Sequence, residues 1–328
     1  MNLENTAVIV IKQKLVTAVE GDPVKPSTFA GKDGSPQYAM YRVGDRTDVV
    51  IDTTASQANR IEPTFAGTGL IPDSTVQIES KTVPIVALGH RVCDAALRFS
   101  DGKETVTEAL LAFLGGNAEP LAKLAPTSLV FGTWDSRKGE TGAKVQRIVR
   151  SEIRATDVTE PIQSLGQFRT SVPRPENGDS KELSVIGILD CPTNGLGGVI
   201  VRGDITRTVQ LNVRALRKIA KGNTKLYDYV LGLSLVAMLT NADLDLREGC
   251  NLITQSTTVE KVNEDGTRES FTMTYKEAFA FAKKAAAEFG VGPARQFKYD
   301  EAKVVDKLKG KEEIAEEKKE KKAKKAAK

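Results

Sequence analysis

Apolar residues recur along the chain at strand and helix spacings, and the changes from one spacing to the other outline its elements. Val8 to Val19 opens β-branched and then alternates, which predicts a first strand ending at the turn-rich Gly21-Asp22-Pro23. A loop runs to Ser35-Pro36. The short apolar run Asp48-Val49-Val50-Ile51-Asp52 then leads into Thr53 or Thr54 as a helix N-cap. Ala55 to Glu62 has helical composition until Pro63 stops it. Thr75 to Glu79 and Thr82 to Val86 read as short strands. Arg91 to Phe99 and Val106 to Leu114 carry apolar residues at helical spacing, the second ending at Gly115-Gly116. Ser128 to Phe131 reads as a buried strand. Lys144 to Thr156 fits neither period cleanly and is read as a strand.

Between Glu160 and Asn194 the chain is rich in Pro, Gly, Ser and Asn around the apolar run Val185 to Leu189. With a turn at Asn194-Gly195 and a returning strand at Val199-Ile200-Val201, this predicts a long hairpin standing off the core. Ile205, Arg207, Val209, Leu211 and Val213 alternate onto one face of a further strand, which ends in a basic helix, Arg214 to Lys221. Leu226 to Leu239 is the most apolar helix. Thr257 to Thr272 predicts a hairpin about Asp265-Gly266, and Tyr275 to Phe289 an amphipathic helix rich in Ala and Lys. Beyond Lys307 the chain is a low-complexity Lys/Glu tail, expected to be solvated.

At 328 residues the chain is long enough for two domains, or for one with large insertions. Forty per cent hydrophobic and 27% charged residues exclude a disordered or collagen-like body. The longest apolar stretches are far short of the ~20 residues of a membrane span, and Met1 to Asn5 lacks the basic start of a signal peptide. The expected location is cytoplasmic, with no membrane partner. Three cysteines (Cys93, Cys191, Cys250) form no CxxC pair and read as reduced, packed thiols. A single histidine, His90, excludes a His-rich metal site and any mechanism needing two imidazoles. The net charge of +4 is mostly the tail's, since Lys311 to Lys328 holds eight lysines and five glutamates. Any case for a polyanionic partner therefore rests on local clusters.

Two such clusters exist. Arg137 to Arg154 carries Arg137, Lys138, Lys144, Arg147, Arg150 and Arg154 against Glu140 and Glu152. Arg202 to Lys225 carries Arg202, Arg207, Arg214, Arg217, Lys218, Lys221 and Lys225 against Asp204 alone. Both flank the expected hairpin. A guanidinium can hold two phosphate oxygens and release condensed counterions, so this density is the footprint of polyanion contact, against the plainer reading of a solvated face. Ser56, Gln57, Asn59 and Arg60, near a helix start, add phosphate donors suited to backbone positioning rather than base readout. Other candidates are weaker. Gly195-Leu196-Gly197-Gly198 would need a helix after it to cradle phosphate, and β-branched Val199 to Val201 follows instead, which favours a hairpin. His90 with Asp94 one turn on could form a catalytic pair, or simply cap and pack a helix start. Asp52 could serve in acid–base work, but a helix-entry aspartate is usually structural.

At these residues the sequence resembles the CRISPR-associated RAMP-superfamily proteins that form the backbone of type I Cascade-like surveillance complexes, in particular the type I-U (I-G) variant. The segments that carry it, in order, are Pro26 to Gly31, Ser56 to Glu62, His90 to Ala95, Pro126 to Ser136 (PTSLVFGTWDS), Arg147 to Ala155 (RIVRSEIRA), Gly197 to Asn212 (GGVIVRGDITRTVQLN) and Val213 to Arg217. The resemblance implies an α+β fold: an RRM-like, ferredoxin-type βαββαβ palm with inserted fingers and a thumb hairpin. Residues 1–307 would form this domain, with helical fingers at about 64–116 and the thumb at about 160–203; 308–328 would be the charged tail.

The function so implied is antiviral. Copies polymerise head to tail along CRISPR guide RNA (crRNA), the thumb interrupts base pairing, and the guide is presented to target DNA alongside other Cascade subunits. No catalytic residue, metal or cofactor is expected. RNA-binding residues would be Ser56, Gln57, Asn59, Arg60, Arg137, Lys144, Arg147, Arg150, Arg154, Arg202, Arg207 and Arg214. An RRM usually stacks bases on aromatic residues of its sheet; Ile205 to Val213 has none, which fits backbone holding with the bases left free to pair. The rival reading is a RAMP-type endoribonuclease, for which His90 and Asp52 are the obvious candidates. A plainer third is a module using the basic helix against an acidic protein partner.

Overall fold

The structure, a computed structural model, describes residues 3–309 apart from 138, 169–171, 174, 176–178, 187, 189, 190 and 242. Lys138, parts of the apolar run Val185 to Leu189, and the tail beyond Lys309 therefore lie outside the described residues. The fold is mixed α+β. Its main element is an antiparallel sheet built on β1 (Thr6–Thr17), with β2 (Thr28–Ala30) and β3 (Pro36–Tyr38) forming a small ladder beside it. Next come β4 (Met40–Val43), β5 (Arg46–Asp52) and α1 (Thr54–Ile61), as the Asp48 to Glu62 pattern predicts. Thr53 is the N-cap, its hydroxyl accepting from Ser56 N at 3.2 Å, and Pro63 falls in the 3-10 turn that ends the helix.

The long connection that follows holds β6 (Thr75–Ile78), β7 (Lys81–Pro84), α2 (Ala95–Arg98), α3 (Lys103–Leu114), α4 (Glu119–Leu124), α5 (Thr127–Phe131), β8 (Thr133–Trp134) and β9 (Lys144–Val145). It returns to the sheet as β10 (Val149–Ala155). A separate hairpin of β11 (Ile162–Phe168) and β12 (Cys191–Gly198) encloses α6 (Ser180–Val185), and β13 (Ile205–Asn212), α7 (Val213–Ala220) and α8 (Thr224–Leu239) follow. β14 (Asp245–Arg247), β15 (Cys250–Asn263), β16 (Arg268–Ser270), α9 (Tyr275–Phe289) and β17 (Gln296–Lys298) come next, and residues 301–309 are helical. The main sheet runs β14-β15-β1-β13-β10-β5-β4, with β16 on β15, and β17 joins β6 and β7 in a second sheet.

Four expectations are corrected. Ser128 to Phe131 is helix α5, every residue of it buried, and not a strand; Pro126 at its N-cap starts a helix where apolarity alone could not tell the two apart. Arg91 to Phe99 is broken into a 3-10 turn and α2, because Asp94 caps the second piece by accepting from Ala96 N at 3.0 Å. Asn194-Gly195 is not a turn but lies inside β12, opposite Leu165 and Ser164. Val199 to Val201 makes only isolated bridges, to Val24 and Val158, so the hairpin closes through β11 and β12.

The helices cover one face of the sheet. α8 is buried along most of its length, with Tyr229 stacked on Phe289 at 4.7 Å between ring centres and donating to Leu70 O at 2.9 Å. α9 packs Ala278, Ala282 and Ala286 into the same core. A Cβ on Gly232 would stand 2.7 Å from Ala282 Cα, so the two backbones approach as closely as that glycine permits.

The buried apolar residues form two clusters, and a polar row divides them on the covered face. In β1, Gln13 separates Ile11 from Leu15. In β13, Arg207 separates Val209 from Ile205, and in β10, Ser151 separates Val149 from Ile153. The opposite face of these strands carries Lys12, Lys14, Thr206, Thr208, Gln210, Arg150, Glu152 and Arg154.

Candidate nucleic-acid interface

The polar row fixes α1 to the sheet. Gln57 is fully buried: its amide donates to Asp52 Oδ2 at 2.7 Å and its carbonyl accepts from Ser151 Oγ at 2.8 Å and Arg207 Nε at 3.1 Å. Arg207, 2% exposed, also donates to Gln13 at 2.7 Å, and burial lowers its pKa to about 10. Asp52, fully buried, takes Arg247 at 2.8 Å and Arg60 at 3.6 Å. Arg60 donates to Leu246 O at 2.6 Å. Of the α1 candidates, then, Gln57 is enclosed by protein, Arg60 is half-buried in structural contacts, Ser56 is half-buried, and only Asn59 is exposed. Arg207 is enclosed as well. These placements correct the expectation that Gln57 and Arg207 reach phosphate, because neither presents its polar atoms to solvent.

Beside α1 the chain makes a second wall. Gly132, at φ +75°, ends α5; a Cβ there would stand 2.6 Å from Arg147 Cγ and 2.9 Å from Val145 O, so only glycine lets the strands close. β8 and β9 then pair Thr133 with Val145 and Trp134 with Lys144. Asp135 holds the loop between them by accepting from Thr141 N at 2.9 Å and Thr141 Oγ1 at 2.7 Å.

Arg91 ties the two walls together. It has a left-handed backbone (φ +54°), is 5% exposed and lies over the Phe131 ring. It donates to Gly132 O at 3.2 Å and Asn59 Oδ1 at 3.4 Å, and its Nε pairs with Glu62 Oε2 at 2.6 Å. Burial pushes the Glu62 carboxyl up to about 7, against the opposing pull of Arg91 and a bond from Thr127.

Between the walls is a groove of about 890 Å³ lined by Asn59, His90, Arg91, Trp134, Arg137, Lys144 and Arg147, among others. Arg147 is anchored by Nε donating to Phe131 O at 2.9 Å; partial burial, Arg91 and Arg150 all lower its pKa. Thus the structure brings Asn59, Arg137, Lys144 and Arg147 together. Arg150 and Arg154 lie on the open face of the sheet, both leaning on Glu152; Arg150 also donates to Thr54 Oγ1 at 3.3 Å, and Arg154 stands over Tyr41. Arg202 and Arg214 are exposed at opposite ends of β13, and Arg214 is paired with Glu264.

The plainer reading of His90 and Asp94 fits the geometry: Asp94 accepts from His90 backbone N at 3.1 Å and from Ala96 N, so its carboxylate caps instead of orienting the imidazole. Burial raises the thiols of Cys93 and Cys250 to about 11. Among the described residues no group of three or more His, Cys, Asp or Glu could hold a metal ion, and no helix is long and apolar enough to cross a membrane. The sequence reading missed Trp134 and Arg91 as groove residues. The available signal was the chain's only tryptophan, three residues before the basic stretch that opens at Arg137.

Residues 9–160 match the model of a family described as CRISPR-associated protein GSU0053. Over that segment, which contains α1, both walls of the groove and β10, the chain carries the pattern of this CRISPR-associated family, in agreement with the resemblance read from its motifs. No curated protein is similar in sequence. Among solved structures, a chain of a "CRISPR RNA-guided surveillance complex, pre-nicking" is 10% identical, with 86% of this chain and 87% of that chain covered, at a TM-score of 0.37. A chain of a "CRISPR RNA-guided surveillance complex" is 10% identical over 86% and 82%, at 0.34. At TM-scores below 0.5, neither likeness bears on the fold or the function.

Proposed function

We propose that the protein is a non-catalytic backbone subunit of a CRISPR surveillance complex, which holds guide RNA by its phosphates and presents it for pairing with target DNA. The observation that carries this reading is the groove. Four residues picked out of the sequence as phosphate donors, Asn59, Arg137, Lys144 and Arg147, converge on it from two separate walls. The carboxylate that lines it, Asp135, is buried and hydrogen-bonded to Thr141, and Glu62 is buried and paired with the groove residue Arg91. Such a surface favours a polyanion.

The palm would be the strands β1, β10, β13 and β15. In sheet order they run β15-β1-β13-β10, with α1 between β1 and β10 in sequence and α7 and α8 between β13 and β15. This is the order a βαββαβ ferredoxin-type unit requires. Fingers at about 64–116 and a thumb at about 160–203, built on β11 and β12, complete the reading. Ser56, Arg150, Arg154 and Arg202 would extend the track beyond the groove, and copies would follow one another along the RNA.

The experiment is co-expression with a CRISPR array, then size-exclusion chromatography with light scattering and sequencing of bound nucleic acid. A large particle carrying repeat-spacer RNA is expected; a monomer free of RNA, with array transcripts and partner subunits present, would overturn the proposal. His90 lines the groove, so the endoribonuclease reading keeps one foothold. Cleavage of labelled RNA that disappears in His90→Ala would establish it.

A further inference from the structure

Among the groove residues named above, Trp134 is the one that carries no charge and is not chiefly a hydrogen-bonding group. It is 60% exposed, an unusual position for the largest apolar side chain. Its ladder partner Lys144 places Nζ 5.1 Å from the ring centre, so a cation already sits on the indole.

The ring's support is braced by several contacts. Gly132 permits the close turn into β8, Arg91 and Arg147 bond the carbonyls of Gly132 and Phe131, and Asp135 ties down the loop that follows. A flat aromatic surface held in place beside Lys144, Arg147 and Arg137 has the two parts of a single-strand site: cations that track phosphates, and a platform on which a base can stack. A protein partner seeking an apolar anchor would meet a groove lined by cations, which favours the polyanion.

We infer that the Trp134 indole stacks on one unpaired nucleobase of the RNA laid in the groove, so that this subunit holds its guide by a base as well as by the backbone. The inference rests on the proposed RNA-binding function and adds to it.

Because Trp134 is the only tryptophan, its fluorescence reports on this site alone. The full-length protein is titrated with single-stranded oligoadenylate, following tryptophan emission and, in parallel, the anisotropy of the same RNA carrying a label. Emission should be quenched with the midpoint of the anisotropy curve. Trp134→Ala should weaken binding about tenfold without altering the salt dependence, since no charge is removed. Trp134→Phe should retain most of the affinity and guards against misfolding as the cause. An oligomer of abasic riboses should bind wild type and Trp134→Ala alike.

RNA binding with unchanged emission and an unaffected Trp134→Ala would overturn the stacking inference while leaving the RNA-binding function standing. Failure of wild type to bind RNA at low salt would overturn both. Loss of self-association in Trp134→Ala, with RNA affinity intact, would assign the indole to a protein interface and overturn the inference as well.

Discussion

Asp52 shows how a residue that looks chemical in the sequence acts structurally. Its carboxylate is fully buried and serves two arginines and Gln57. Removing one partner of such a group leaves buried charge uncompensated, so Asp52→Ala is expected to cost about 3–5 kcal/mol in urea denaturation. Glu62 makes a prediction of opposite character. Its folded pKa of about 7 lies above the ordinary 4.5, so the stability it contributes is complete below about pH 4.5 and is lost as the pH rises through about 7. Wild type should therefore lose stability relative to Glu62→Gln between about pH 5 and pH 8, and a difference that stays constant over that range would show that Glu62 does not titrate there. Arg207 was legible in part. Its alternation with Ile205, Val209 and Leu211 placed it on the apolar face, yet its charge drew it into the phosphate-binding set. What the sequence could not display is that Gln13, Gln57 and Ser151, from three other elements, would meet it there.

At the scale of elements, long periodic segments were read well. β1, α3, α8 and α9 fall where their spacing predicts, and α9 begins at its Thr274–Glu277 capping box. The failures are short elements whose identity depends on what packs around them. Ser128 to Phe131 is apolar at every position but the first, so it has no face to reveal a period, and its helical start at Pro126 is what the apolar run itself does not show. The β8–β9 ladder is too short to leave any pattern, yet it forms the groove wall. Its geometry depends on Gly132, whose backbone (φ +75°, ψ 156°) is open essentially to glycine alone. Gly132→Ala is expected to destabilise the protein by about 1–3 kcal/mol and to speed hydrogen exchange in residues 133–145 before the rest of the chain. Uniform exchange across the molecule would mean that the wall is held by other contacts.

For the whole molecule, the question is how a body of nearly neutral charge could bind a polyanion. Most of the net charge lies in the Lys/Glu tail, and many arginines of the body are already engaged: Arg60 and Arg247 by Asp52, Arg91 by Glu62, and Arg214 and Arg217 by Glu264. Arg137, Lys144 and Arg147, by contrast, stand together along one groove. A count of basic residues along the chain cannot make this distinction, because each acidic partner comes from a different part of the sequence. The distinction can be measured. On single-stranded RNA each phosphate contact contributes about 0.7 to the slope of log affinity against log salt. Arg147→Ala and Lys144→Ala should each lower that slope by about 0.7, whereas Arg214→Ala, whose guanidinium is already paired with Glu264 and lines no part of the groove, should leave it unchanged. If Arg214→Ala lowers the slope and Arg147→Ala does not, the RNA runs over the basic helix α7 and not through the groove.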